Sequence, residues 1–105
     1  MIVIDVAGRA KFDPERMAKA TLALGDRLFA GLNAFEPGQE QPRHIHEHQD
    51  KLCFVLDGRA EIQVGDEHGL VGAGDLVLFP AGVEHSLRNP GPERFLAMIV
   101  IAPPR

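Results

Sequence analysis

Turn chemistry constrains this chain more than any other feature. From Glu36 onward it is broken at Glu36-Pro37-Gly38, Asp57-Gly58, Gly72-Ala73-Gly74, Pro80-Ala81-Gly82 and Asn89-Pro90-Gly91-Pro92, with a further loop over 65–69. Proline fixes φ and glycine admits torsions closed to other residues, so each site ends a regular element. The stretches left between them, 52–56, 59–64, 70–71, 76–79, 85–88 and 95–101, are short and rich in apolar residues. Short strands with a turn signal at about every eight to twelve residues describe an all-β barrel or sandwich. Asp57-Gly58, between two such runs, reads as a two-residue hairpin turn.

The N-terminal third reads differently. Residues 1–6 are β-branched and form a strand candidate. Asp13-Pro14-Glu15 has the order of a helix start, with Asp as cap and Pro at the first helical position. Met17, Ala18, Ala20, Thr21 and Leu24 follow at roughly helical spacing until Gly25, so one short helix is expected over 13–24. Residues 27–35 form the next strand candidate, with Leu28, Ala30, Leu32 and Ala34 on one face. Residues 1–105 are read as a single domain whose core is thin enough for a second copy to help stability.

Several classes of function fall away. The net charge of −4 and the absence of a basic stripe argue against nucleic acid. With no Trp and no Tyr, base-stacking platforms are poorly supplied. The apolar run 95–102 is too short to span a bilayer, and the first residues lack the cationic start of a signal peptide. The single cysteine, Cys53, fits a reducing compartment, and a cytoplasmic location is expected.

The histidines carry the chemistry. Side chains at i and i+2 of a strand share a side, so His44 and His46 can present two imidazoles to one point. His85 follows a tight turn on a distant strand and can close the set. Neutral imidazole suits Zn, Cu, Fe and Ni, and three ligands leave positions open. The competing reading is that a histidine in a β protein is a surface or hydrogen-bonded residue. His48, in a polar run, and His68, in a loop, are assigned to it.

Two stretches then fit a known pattern. Gly38, His44, His46 and Gly58 match the first motif of the cupin superfamily, and Gly74, Pro80, Gly82, His85 and Asn89 complete the second. The chain resembles a small single-domain cupin over 38–89. The resemblance implies a conical β-barrel of the jelly-roll type holding one divalent transition metal (Fe, Zn, Ni, Mn or Cu) through His44, His46 and His85. It also implies a homodimer formed through an edge strand, for which 1–6 and 95–101 are the candidates.

The chain departs from the family at one position. The first motif's glutamate falls at Lys51, a charge reversal at a metal-facing place. Lys51 can snorkel away, lose its proton to desolvation, grip a substrate carboxylate, or pair with an acid and have no ligand role. The fourth ligand is then open. Gln49 shares parity with Lys51 and ranks ahead of Asp50, the better ligand chemically but pointed the other way; water is the third choice. Three imidazoles without a carboxylate still resemble the iron sites of some cupin dioxygenases. Two functions follow: a small metalloenzyme of dioxygenase type with Lys51 orienting an acidic small-molecule substrate, or a metal-dependent binding or sensing module without turnover. Cys53 and the phenylalanines are read as core, Asn89 as a loop tie, and Arg43 and Arg88 as candidate anion contacts at the barrel mouth.

Overall fold

The computed structural model describes residues 1–105. Nine strands follow a single 3-10 turn at Ala7–Arg9: β1 (Ala18–Leu24), β2 (Phe29–Phe35), β3 (Glu40–His44), β4 (Asp50–Asp57), β5 (Arg59–Val64), β6 (Glu67–Gly72), β7 (Leu76–Phe79), β8 (His85–Arg88) and β9 (Phe95–Ala102). They form a five-stranded sheet in the order β1-β2-β9-β4-β7 and a four-stranded sheet in the order β3-β8-β5-β6. All pairings are antiparallel.

Between the sheets lies a core of Phe35, Cys53, Val55, Ala60, Ile62, Phe79, Leu87, Phe95, Ala97 and Ile99. Strand β4 shows how it is filled, with Lys51, Cys53 and Val55 buried and Asp50, Leu52 and Phe54 exposed. A second cluster, Leu22, Leu32, Ala34 and Leu96, covers the outer side of the five-stranded sheet, where Val3, Val6, Ala10 and Phe12 of the N-terminal segment pack on it.

Four expectations are corrected. No α-helix forms over 13–24; Ala18–Leu24 is strand β1, paired along β2. Asp13 does accept a hydrogen bond from the Glu15 amide at 2.8 Å, as a cap would, but the chain then extends. A seven-residue edge of β2 offers more hydrogen bonds and burial than an isolated short helix, so tertiary pairing overrides local propensity. Residues 1–6 form no strand.

Asp57-Gly58 is not a hairpin either. Strand β4 pairs with β7 and β9 while β5 pairs with β6 and β8, so this turn is the corner where the chain leaves one sheet for the other. Gly58 sits there at φ +78°, and a Cβ would collide with the Arg94 carbonyl. The tight hairpin falls instead after β5, at Gly65-Asp66. Finally, 95–101 lies in β9, between β2 and β4, and cannot act as a free edge.

Candidate metal centre

Three elements bring the histidines together. His44 ends β3 and pairs with His85, the first residue of β8. The ladder carries an irregularity here. Gln41 opposes Leu87, yet His44, three residues on, opposes His85, only two residues back. The extra residue, in the Pro42-Arg43 stretch, reverses the side on which the end of β3 points, so Gln41 and His44 share a face. His46 lies beyond the strand, in the loop before β4. It is placed by that loop rather than by the strand parity expected from its spacing.

The second motif holds this loop. The Gly82 amide, at φ +77°, donates to the His46 carbonyl at 2.9 Å, and the Ala81 amide donates to Asp50 Oδ1 at 2.8 Å. Asp50 is thereby occupied with the turn. Asn89, fully buried, donates to the Phe35 and Glu93 carbonyls and accepts from the Gly91 amide, so it ties the end of β8 to β2 and the following loop.

The imidazole rings lie 4.1 Å (His44–His85), 4.9 Å (His44–His46) and 5.4 Å (His46–His85) apart by centroid. Their candidate ligand atoms all fall within 4.8 Å of one another, so this group could hold a metal ion. His44 Nδ1 lies 2.8 Å from the Pro42 carbonyl and His85 Nδ1 lies 3.3 Å from the Val83 carbonyl. A carbonyl only accepts, so in each ring Nδ1 carries the hydrogen and Nε2 keeps its lone pair. Both Nε2 atoms are buried without a partner. Two orphaned lone pairs, with their tautomers set by backbone carbonyls, fit a bound cation. His85 also stacks on Phe79, with centroids 4.4 Å apart.

Burial favours the neutral forms of His46 and His85. Burial pushes His85 down to about 4; the Val83 carbonyl opposes this, while His44, Lys51 and His46 add to it. Burial also lowers His46, helped by His44, Lys51 and Lys19, while the Gln49 side chain, as an acceptor, opposes this. Gln49 further donates its amide nitrogen to the Pro103 carbonyl at 3.0 Å.

Lys51 faces inward from β4, between Phe79 of β7 and Ile101 of β9, and is only 4 % exposed. It therefore does not snorkel to solvent, and none of the ion pairs includes it. Its one hydrogen bond goes to Gln41 Oε1 at 3.5 Å, and its ammonium stands 5.6 Å from the centre of the Phe79 ring. Burial lowers its proton affinity. Cys53, the next inward residue, is core, with its thiol pushed up to about 11 by burial. Arg43 and Arg88 stand in exposed ion pairs with Glu84 and Glu61, at 3.6 Å and 3.7 Å. The sequence reading missed Gln41 as a contact of Lys51; strand parity alone separates it from His44, and only the irregularity in β3 puts them on one side.

A two-sheet antiparallel barrel with three converging imidazoles defines a class of β-barrel that could hold a metal ion. Residues 31–101 match the family described as Cupin domain, and the chain belongs to that family. A protein of Streptomyces coelicolor is 38 % identical over 77 residues, 73 % of this chain and 71 % of that protein. Quercetin 2,3-dioxygenase of Bacillus subtilis is 33 % identical over 66 residues, 63 % of this chain but only 20 % of the enzyme. Mannose-1-phosphate guanylyltransferase 2 of Escherichia coli O157:H7 is 36 % identical over 64 % of this chain and 14 % of its own length, so with these larger enzymes the likeness covers a domain. Among solved structures, a Thermus thermophilus protein superposes with a TM-score of 0.94 at 35 % identity, covering 100 % of both chains. A double-stranded β-helix protein of Klebsiella pneumoniae gives 0.89 at 25 % identity over 98 % of this chain and 90 % of its own.

Proposed function

We propose that this chain is a small metalloenzyme of the non-haem dioxygenase type, with His44, His46 and His85 holding one divalent transition metal and a polar small molecule as substrate. The observation that carries this reading is the pair of orphaned Nε2 atoms on His44 and His85, each set by a carbonyl behind its ring. A metal held there supplies Lewis acidity and, if it is iron, a site for O2. The chain's own residues do the rest. Phe79 fixes the plane of His85 by stacking. Gln49, whose side chain acts on His46 and whose amide nitrogen is tied to the Pro103 carbonyl, is the candidate fourth ligand through its amide oxygen. Lys51 lines the same interior and orients an acidic substrate. The likeness to a quercetin dioxygenase domain supports the reaction class.

A binding or sensing module without turnover is the second reading. Lys51 favours it, because a cation where relatives of this fold carry a carboxylate weakens the hold on a metal. A homodimer belongs to both readings. It is supported by the outward side of β4 and β7, where Leu52, Phe54, Leu76 and Leu78 are exposed side by side.

Elemental analysis of untagged protein beside its His85→Ala variant tests the site. The parent is expected to carry close to one metal per chain and the variant little; equal metal in both removes the proposal. Oxygen uptake by the iron-loaded protein with diketones, catechols and thiols then separates the enzyme from the binding module.

A further inference from the structure

Lys51 is a buried amine without a counter-ion, and burial lowers its proton affinity. It has one long hydrogen bond, to Gln41. No carboxylate lies within ion-pair distance. An unpaired ammonium there would cost several kcal/mol, so an anion that reaches Lys51 would hold the proton on it. The surroundings add no negative charge. Lys19 pairs with Asn33 across β1 and β2, on the inward side of the sheet. Asn33 is itself buried with its Oδ1 unpartnered. Lys19 stands close enough to lower the proton affinity of both Lys51 and His46.

We infer that Lys51, with Gln41, forms an anion subsite for one carboxylate of a small organic dicarboxylate whose other end reaches the histidines, with Lys19 as a steering charge at the rim. The second half of this statement rests on the metal reading above; the Lys51 subsite does not. Two carboxylates match a divalent ion at the histidines and a Lys51 that is protonated once an anion faces it, whereas a monoanion serves only one of the two. Lys51 and the Gln41 amide offer two adjacent donors, one for each oxygen of a carboxylate. Phosphate fits less well. It calls for an arginine fork, a glycine-rich nest or a helix N-terminus. Arg43 and Arg88 sit in exposed ion pairs with Glu84 and Glu61, outside the buried interior that holds Lys51, and the chain has no α-helix.

Isothermal titration calorimetry of the zinc-loaded protein with malonate, succinate, acetate and inorganic phosphate tests this. Malonate or succinate is expected to bind about tenfold or more tightly than acetate and phosphate. Lys51→Met, which keeps the length of the side chain, should lose that preference by about tenfold while its zinc content stays at or above the parent level. Lys19→Gln should weaken binding about two- to fivefold at low salt and less at high salt, as expected of a rim charge. If Lys51→Met melts early, Lys51→Gln takes its place with the same expectation. Equal dicarboxylate affinity in parent and variant overturns the inference, and so does failure of all four anions to bind. Protein that takes up zinc but ignores dicarboxylates keeps the metal reading and loses the subsite. Protein that refuses zinc but binds succinate through Lys51 loses the metal reading and keeps the subsite.

Discussion

His44 and His85 face each other across the β3–β8 ladder with ring centroids 4.1 Å apart, and each turns its Nδ1 toward the carbonyl two residues before it. The same local device on two strands leaves the same nitrogen free on both. The site is thus built twice over from backbone, once from each cupin motif.

Lys51→Glu restores a carboxylate among the imidazoles. Metal should be held about tenfold more tightly in competition with a chelator, since roughly 1.4 kcal/mol of added attraction suffices. Unchanged or weaker retention of metal would show that position 51 does not face the ion.

The metal-free protein should gain stability as pH rises from about 4 to about 6.5. His85 holds its proton only below about 4 when folded, whereas the unfolded chain binds one up to the ordinary histidine value. Across that window the unfolded state binds more protons, so folding is favoured by raising pH and the benefit is complete above it. The size is on the order of 3 kcal/mol for a residue buried this deeply. Urea midpoints measured across the window check it, and His85→Gln should flatten the slope. A parent curve already flat would count against a neutral buried His85.

Asn89→Ala should destabilise the fold by about 3 kcal/mol. The substitution strips partners from the Phe35 and Glu93 carbonyls and from the Gly91 amide at once. Chemical denaturation measures the loss. A change under about 0.5 kcal/mol, the size usual for surface sites, would mean that water replaces the amide without strain.

Leu76→Lys addresses the second copy. Leu76 is 61 % exposed and pairs with Phe54 on the bare half of the five-stranded sheet. In a dimer using this face, a lysine there should shift the light-scattering mass toward that of one chain and leave the melting of the monomer within about 0.5 kcal/mol of the parent. If the parent already runs as a single chain at high concentration, this face has no second copy on it.

Much of the fold was legible because turn chemistry is local. Strands β5, β7 and β8 fall where the punctuation puts them, and the inward parity of Lys51 and Cys53 follows from simple alternation. What escaped was set by partners far away in the chain. Asp57-Gly58 has the composition of a hairpin turn, but composition does not say which sheet the next strand joins. The stretch 18–24 spaces its apolar residues in a way that serves a helix or an edge strand, and the neighbouring β2 decides. The three histidines were legible as a group from their motifs. The means of placing them was not, since His46 sits on a tethered loop and His44 on an irregular strand end.

The supernumerary residue in the Pro42-Arg43 stretch separates the placing of His44 from the folding of the barrel. Removing one residue there would return β3 to plain alternation and turn the His44 ring away from His85, while the core between the sheets, to which β3 contributes no residue, stays assembled.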